Sequence, residues 1–127
     1  MQMELLDNLK YTENHEWVLI NGNIATIGVT DYAQNELGDI VFVDIDSIGS
    51  ILNQDDIFGS IEAVKTVSDL FMPVNGEVTE MNHNLETNPE LINESPYEKG
   101  WIVKVKIYDI DESKLLSMSE YKAHLGL

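Results

Sequence analysis

The sequence predicts a small, mainly β domain, and two observations support this fold class. Short runs that are rich in β-branched and aromatic residues recur along the chain, with turn-forming residues between them. The chain has 127 residues, of which 43% are hydrophobic, and this fits a single domain over residues 1–127 with one core. The runs account for about eight strands and one or two short helices, an arrangement typical of a small sandwich or barrel.

The first elements of the chain are a hairpin and a short helix. Two apolar runs within residues 15–29 are separated by Asn21-Gly22-Asn23, and Asn-Gly between such runs is a strong hairpin signal. Thr30 or Asp31 can then cap a short helix, which Gly38 ends.

Four strand-like segments follow in the middle of the chain. Residues 39–45 alternate, and this pattern predicts that Val41, Val43 and Ile45 share one face of a strand. Two further apolar runs occupy residues 57–64 and 66–72. Pro73 and a predicted turn at Asn75-Gly76 follow them, and residues 77–81 form a short strand candidate.

The last third of the chain predicts one clear strand and a terminal helix. Residues 84–91 indicate a loop with one helical turn. Residues 101–108 alternate most regularly between apolar and polar side chains, as expected of a half-buried strand. Ser117-Met118-Ser119-Glu120 matches a capping box, which predicts a short helix over residues 121–125.

The charge of the chain excludes two classes of partner. Acidic residues number 23 and basic residues 7, all of them lysine, so the net charge is −16. Nucleic acids and anionic membranes require a basic surface, and we therefore expect neither as a partner. Partners with basic docking surfaces are favoured, because complementary charge speeds encounter and selects partners.

The absence of cysteine excludes a disulfide framework, a thiolate nucleophile and a Cys-ligated metal site. Residues 1–7 lack the basic and apolar regions of a secretory signal. No apolar run approaches the roughly 18 residues of a transmembrane helix. We therefore expect a cytoplasmic protein.

No group of residues in the sequence forms a recognisable catalytic or metal-binding motif. His15, His83 and His124 lie far apart along the chain, and none has a metal-ligand neighbour at helical or strand spacing. Acidic pairs such as Asp44 and Asp46 lack the register of a calcium loop, and exposed strand faces explain them better. We expect neither a metal site nor catalytic residues.

Lys65 lies between two β-like runs and is open to two interpretations. A lysine in such a place is usually solvated and has no special role. Val64-Lys65 contains no residue that favours positive φ, so the spacing alone also allows one bent strand instead of a hairpin.

Lys65 is, however, part of a longer pattern. Its residues are Gly59, then Glu62-x-Val64-Lys65-x-x-Ser68-Asp69-Leu70, then Pro73-x-x-Gly76-x-Val78. Further matching segments are Tyr11-Thr12-x-x-His15-Glu16-Trp17-Val18, Gly28-Val29-Thr30-x-Tyr32-Ala33 with Leu37-Gly38-Asp39, and Asn82-x-x-Leu85-x-x-x-Pro89-x-Leu91-x-Asn93-x-x-Pro96-Tyr97-x-x-Gly100-Trp101. The first pattern resembles the lipoyl-attachment signature of the glycine cleavage system H-protein family, and the others resemble that family's flanking elements. The resemblance covers residues 10–125 and leaves residues 1–9 as an N-terminal extension.

The resemblance implies a barrel-sandwich hybrid fold of the lipoyl- and biotinyl-carrier type, with a C-terminal helix and a hairpin that presents Lys65. It implies that lipoate is attached covalently to Lys65, and that the chain is a carrier and not an enzyme. Such a carrier transfers the aminomethyl group of glycine from the pyridoxal-phosphate glycine decarboxylase to aminomethyltransferase. Dihydrolipoamide dehydrogenase then reoxidises the arm, and a lipoate ligase or a lipoyl or octanoyl transferase attaches it.

The resemblance also implies roles for three acidic residues. Glu62 assists recognition by the lipoylating enzyme, whereas Glu16 and Asp69 contact the loaded arm in a cleft. Solvated strand positions are the competing explanation for all three carboxylates.

Three other functions remain open at this point. An H-like protein could relay or store lipoyl groups for other 2-oxoacid dehydrogenase complexes, since that role needs the same lysine. A biotinyl carrier would be expected to have methionines beside the lysine, whereas Val64 and Thr66 flank it here. An unmodified β interaction module is the remaining alternative.

Overall fold

Two antiparallel sheets and four short α-helices make up the described part of the chain, residues 3–127 of a computed structural model. The strands are β1 (Lys10–Tyr11), β2 (Glu16–Asn21), β3 (Ile24–Val29), β4 (Ile40–Asp44), β5 (Ile51–Leu52), β6 (Ile57–Ala63), β7 (Val67–Phe71), β8 (Asn75–Met81) and β9 (Val103–Asp109). The helices are α1 (Asp31–Leu37), α2 (Asn84–Thr87), α3 (Leu91–Glu94) and α4 (Met118–His124), with a 3₁₀ turn over Glu112–Lys114.

The two sheets enclose the main hydrophobic core. Six strands form the larger sheet in the order β1-β2-β3-β9-β8-β5, and β4-β6-β7 form the smaller one. Buried side chains of both sheets contribute to the same cluster, including Ile27 and Val105 from the larger sheet and Phe58 and Ile61 from the smaller one. The predicted mainly β sandwich-like fold with a C-terminal helix is therefore confirmed.

The predicted hairpin is present, and its loop lies within the expected Asn21-Gly22-Asn23. Asn21 pairs with Ile24 at the end of β2 and β3, so Gly22 and Asn23 form the loop. Gly22 has a φ of 63°, and glycine at the first loop position is typical of a type II′ turn.

Side-chain caps fix the two longest helices where the sequence predicts them. The Thr30 hydroxyl accepts a hydrogen bond from the Ala33 N–H at the start of α1, which ends at Gly38 with a φ of 80°. Ser117 and Glu120 form the expected capping box, and α4 begins directly after Ser117, three residues before the predicted start.

The predicted inward face of the fourth strand is wrong at one position. Ile40 and Val43 are buried, whereas the side chain of Val41 is 49% exposed. The pairing of β4 with β6 contains a bulge between Ile40 and Phe42. Because a bulge inserts an extra residue into the strand, the alternation changes phase there.

The predicted turn at Asn75-Gly76 is also wrong, because both residues belong to β8. Gly76 pairs with Ile107, and a Cβ atom added at Gly76 would overlap the carbonyl oxygen of Lys106. The glycine is therefore required by close approach of two backbones and not by a turn.

The loop expected over residues 84–91 contains α2 and the beginning of α3, so two single-turn helices occur in this part of the chain. The strands β1 and β5 were not predicted. Each has only two residues, which is too short for an alternating pattern.

A second, aromatic cluster attaches α4 to the larger sheet. Leu9, Tyr11, Trp17 and Tyr121 are its buried members. The rings of Tyr11 and Tyr121 stack with their centroids 4.8 Å apart. Within residues 3–127, no helix is long and apolar enough to cross a membrane.

Candidate functional site

Lys65 lies at the tip of the hairpin that β6 and β7 form. Glu62 pairs with Val67, and the Ala63 N–H donates to the Thr66 carbonyl at 2.8 Å, so the chain reverses around Val64-Lys65. Among the described residues, neither tip residue has a positive φ, which explains how a valine is accommodated there. The expected position of Lys65 at a hairpin tip is confirmed.

The hairpin tip is held against the start of β4. The Val64 N–H donates to the Asp39 carbonyl at a distance of 3.2 Å. The Lys65 side chain is exposed, and within the part of the chain that the structure describes it forms no ion pair. The result is a supported backbone that presents an accessible primary amine.

A surface depression connects Lys65 with a cleft between α1 and the small sheet. The depression has a volume of about 410 Å³ and is lined by Lys65, Val64 and the residues 35–39 at the end of α1. Glu36 and Leu37 also line the neighbouring cleft, which has a volume of about 290 Å³. The two cavities therefore adjoin at the end of α1.

Glu16 and Asp69, separated by 53 positions in the sequence, line this same cleft. Asp69 is exposed on β7, and Ser68 lies beside it in the cleft wall. Apolar side chains, among them Ile61 and Leu70, complete the lining. The structure thus brings together the two acidic residues that the resemblance singled out.

Glu16 is not a solvated strand residue, because its side chain is only 1% exposed. The Thr12 hydroxyl donates to Oε1 at 2.7 Å, and the Phe71 N–H donates to Oε2 at 3.1 Å. Burial raises the pKa of Glu16 to about 7, although these two hydrogen bonds oppose the shift. Glu16 therefore changes its protonation state near neutral pH.

Glu62, the third acidic residue, lies near the hairpin tip but outside the cleft. It is exposed on β6 and does not line the cleft, whereas its neighbours Ile61 and Ala63 are buried. Because side chains alternate along a strand, Glu62 points away from the core, on the outer face of the small sheet. The structure therefore separates this carboxylate from the buried Glu16.

Sequence reasoning missed an aromatic group at the edge of the cleft. The His15 Nδ1 lies 2.8 Å from the Tyr121 hydroxyl, and the His15 ring lies 4.8 Å from Tyr32 and 5.8 Å from His124. Burial lowers the pKa of His15, and the nearby His124 adds to this effect. The positive φ of His15, 68°, turns the chain directly before Glu16.

The site is suited to a lysine-linked prosthetic arm with a polar end. The amine of Lys65 is accessible for amide formation, and the adjoining cleft combines apolar walls with carboxylates. Among residues 3–127, no group of three or more His, Asp or Glu side chains is placed to hold a metal ion.

This fold and this site define a carrier domain, a class of protein that presents one lysine on a hairpin beside a cleft. A family model described as "Glycine cleavage H-protein" matches residues 9–126. The chain belongs to the glycine cleavage H-protein family.

Similar proteins are found among both sequences and solved structures. The chain is 51% identical to a glycine cleavage system H protein of Staphylococcus epidermidis over 125 residues, which cover 98% of this chain and 99% of the relative. It is 52% identical over 125 residues to the protein of that name from Staphylococcus haemolyticus, with the same coverage. The crystal structure of a glycine cleavage system H protein from Mycobacterium marinum matches with a TM-score of 0.89 and 34% identity, covering 97% of this chain and 100% of that one.

Proposed function

We propose that this protein is a lipoyl-carrying shuttle of a glycine cleavage system and that Lys65 is its attachment site. The observation that carries the proposal is the exposed amine of Lys65 at a hairpin tip that adjoins an acidic cleft. Membership of the H-protein family supports the metabolic system. No other lysine lies in the sequence context Glu-x-Val-Lys.

Attachment requires an amine that an enzyme can reach. The unprotonated Lys65 Nζ attacks the carbonyl carbon of an activated lipoyl group, an amide bond forms, the activating group leaves with its electron pair and the nitrogen loses a proton. The lysine thereby loses its positive charge. When bound, the lipoyl group supplies a dithiolane that accepts the aminomethyl group of glycine, while the protein supplies orientation and shielding.

We propose four partners for this lysine. A lipoate ligase, or a lipoyl or octanoyl transferase, modifies it. Glycine decarboxylase, aminomethyltransferase and dihydrolipoamide dehydrogenase use the arm in turn, and the names of the relatives support this set. An acidic carrier with a net charge of −16 suits brief docking with several such enzymes.

Glu16 and Asp69 are proposed to retain the cationic end of the loaded arm. Both carboxylates line the cleft, and an ammonium group between them would gain charge-assisted hydrogen bonds in a partly desolvated place. A bound cation would also favour the ionised form of Glu16, whose pKa of about 7 leaves it partly protonated near neutral pH. Glu62 is proposed to act earlier, in recognition by the lipoylating enzyme, since it lies outside the cleft and near the tip.

Reconstitution of glycine cleavage tests the function. Wild type, Lys65→Arg and the control Lys99→Arg are treated with lipoate ligase and then combined with the three partner enzymes, glycine and tetrahydrofolate. We expect glycine-dependent CO₂ release with wild type and Lys99→Arg but none with Lys65→Arg, because a guanidinium is a poor acyl acceptor. Full activity of Lys65→Arg would contradict the proposal. A lipoylated wild-type protein that fails to support decarboxylation would favour the lipoyl-relay function.

A further inference from the structure

The outer face of the small sheet carries an unusual row of side chains next to Lys65. Phe42 on β4 pairs with Glu62 on β6, and Glu62 pairs with Val67 on β7. Directly paired residues in antiparallel strands project to the same side, with their Cβ atoms about 5 Å apart. The three side chains therefore form a continuous row, which we call the hairpin row: an aromatic group, a carboxylate and an aliphatic group.

The two apolar members of the hairpin row are exposed to solvent. Phe42 is 54% exposed and Val67 is 62% exposed, and Val64 at the adjoining tip is 70% exposed. Single exposed hydrophobic side chains are common on protein surfaces, but neighbouring ones are typical of an interaction site. Here the apolar surface extends from the hairpin row to the residue before Lys65.

The carboxylate at the centre of the row is available for a partner. Among the described residues, Glu62 forms no ion pair. The next pairs along the outer face bring Asp44 and Asp69 on either side of Ser60. The face therefore combines apolar contact area with negative charge, and its complement is an apolar surface that carries a lysine or arginine.

An enzyme that acylates Lys65 has to distinguish it from six other lysines of the same chain. Lys104 and Lys106 lie within β9, where their direct cross-strand neighbours include Glu80 and Glu77. Neither of these lysines lies at a hairpin tip, so neither is presented with an apolar and acidic row behind it. The surroundings of the amine, rather than the amine itself, can therefore specify the site.

We infer that Phe42, Glu62 and Val67 form the docking surface for the enzyme that acylates Lys65. The inference rests on the proposed function and deepens it, because it identifies the surface through which that enzyme selects its lysine. The enzyme's complementary surface places apolar side chains against Phe42 and Val67 and a basic side chain against Glu62. None of these three residues lines the cleft that Glu16 lines, although Asp69 borders both surfaces.

Steady-state lipoylation of the unmodified protein tests the inference, with lipoate, ATP and a lipoate ligase. The test protein is the double variant Phe42→Thr, Val67→Thr, which places a β-branched side chain, favourable in strands, at both positions. The control is Ile51→Thr, which changes a 65% exposed residue of β5 on the other sheet. We expect the KM for the double variant to rise about tenfold with kcat within about twofold, as for loss of a central apolar contact. The control should keep the wild-type KM and all three proteins the same melting temperature.

An unchanged KM for the double variant, or an equal rise for Ile51→Thr, would overturn the inference. A second copy of the chain is the alternative occupant of this face. Sedimentation of the wild type as a dimer that the double substitution dissociates would assign the face to self-association and would also overturn it. Peptide mapping of the lipoylated wild type distinguishes failure of the proposed attachment site from failure of the proposed docking surface. Lipoate on a lysine other than Lys65 means that the proposed attachment site has failed, whereas lipoate on Lys65 with an unchanged KM means that only the docking surface has failed.

Discussion

Glu16 shows how one residue can combine a structural role with a chemical one. Its carboxyl group is buried at the wall of the cleft, where the Thr12 hydroxyl and the Phe71 N–H satisfy its two oxygens. Ionisation in this place is unfavourable, because burial removes solvent that would stabilise the charge. The residue therefore makes the stability of the protein depend on pH.

The pKa of Glu16 predicts the direction of this dependence. Between its ordinary value of 4.5 and the folded value of about 7, the folded protein binds a proton that the unfolded chain has released. The free energy of unfolding therefore falls as pH rises through this range, by about 3 kcal/mol. We expect Glu16→Gln to remove this component, so that the variant gains about 3 kcal/mol relative to wild type between about pH 4 and pH 8. Urea denaturation at a series of pH values measures it.

Glu13→Gln provides the matched control, since Glu13 is an exposed carboxyl group only three residues away. This variant should keep the wild-type pH dependence. If Glu16→Gln and Glu13→Gln respond alike, the account of a buried, protonated Glu16 is wrong.

At the residue scale, sequence patterns identified Glu16, Asp69 and Lys65 only through resemblance to a family. The group formed by His15, Tyr121 and His124 could not be found in this way, because 106 positions separate His15 from Tyr121. Their contact depends on how α4 docks, and α4 docks through the stacked rings of Tyr11 and Tyr121. Periodicity within one segment contains no information on such a contact.

At the scale of strands, the positions of most elements could be predicted but their exact pairing could not. Apolar runs and turn residues located the hairpin of β2 and β3, the two strands around Lys65 and both capped helices. The bulge next to Val41 and the close approach at Gly76 arise from pairing with other strands. Both departures are therefore tertiary effects on local patterns that are otherwise regular.

Gly76 allows a direct test of the strand pairing. A methyl group at this position would overlap the backbone of Lys106 on β9, which cannot move without breaking the sheet. We expect Gly76→Ala to lower the free energy of unfolding by about 2 kcal/mol or more, as for overpacked sites. Glu80→Ala in the same strand changes an exposed side chain and should cost no more than about 0.5 kcal/mol. Equal stability of the two variants in thermal unfolding would contradict the close approach.

At the scale of the whole molecule, the charge of −16 has two opposite consequences. Repulsion among the acidic residues opposes the compact state, whereas attraction to basic partner surfaces favours docking. Both effects act between exposed charges and are screened by salt, because the Debye length falls from about 30 Å at 0.01 M to about 3 Å at 1 M.

Salt should therefore stabilise the protein and weaken its encounters. Between roughly 0.02 M and 0.5 M NaCl, we expect the melting temperature to rise by a few degrees, and we expect the association rate with glycine decarboxylase to fall several-fold. Calorimetry and stopped-flow binding measure the two quantities on one preparation. An association rate that does not depend on salt would contradict electrostatic docking.

The position of the lipoyl group on the chain decides whether Lys65 is the attachment site. Purified unmodified wild type, Lys65→Arg and Lys99→Arg are incubated with lipoate, ATP and lipoate ligase, and their intact masses and proteolytic peptides are then measured. We expect one lipoyl group per chain on wild type and Lys99→Arg, located on the peptide that contains Lys65, and none on Lys65→Arg. A lipoyl group on any other lysine, or on Lys65→Arg, would contradict it.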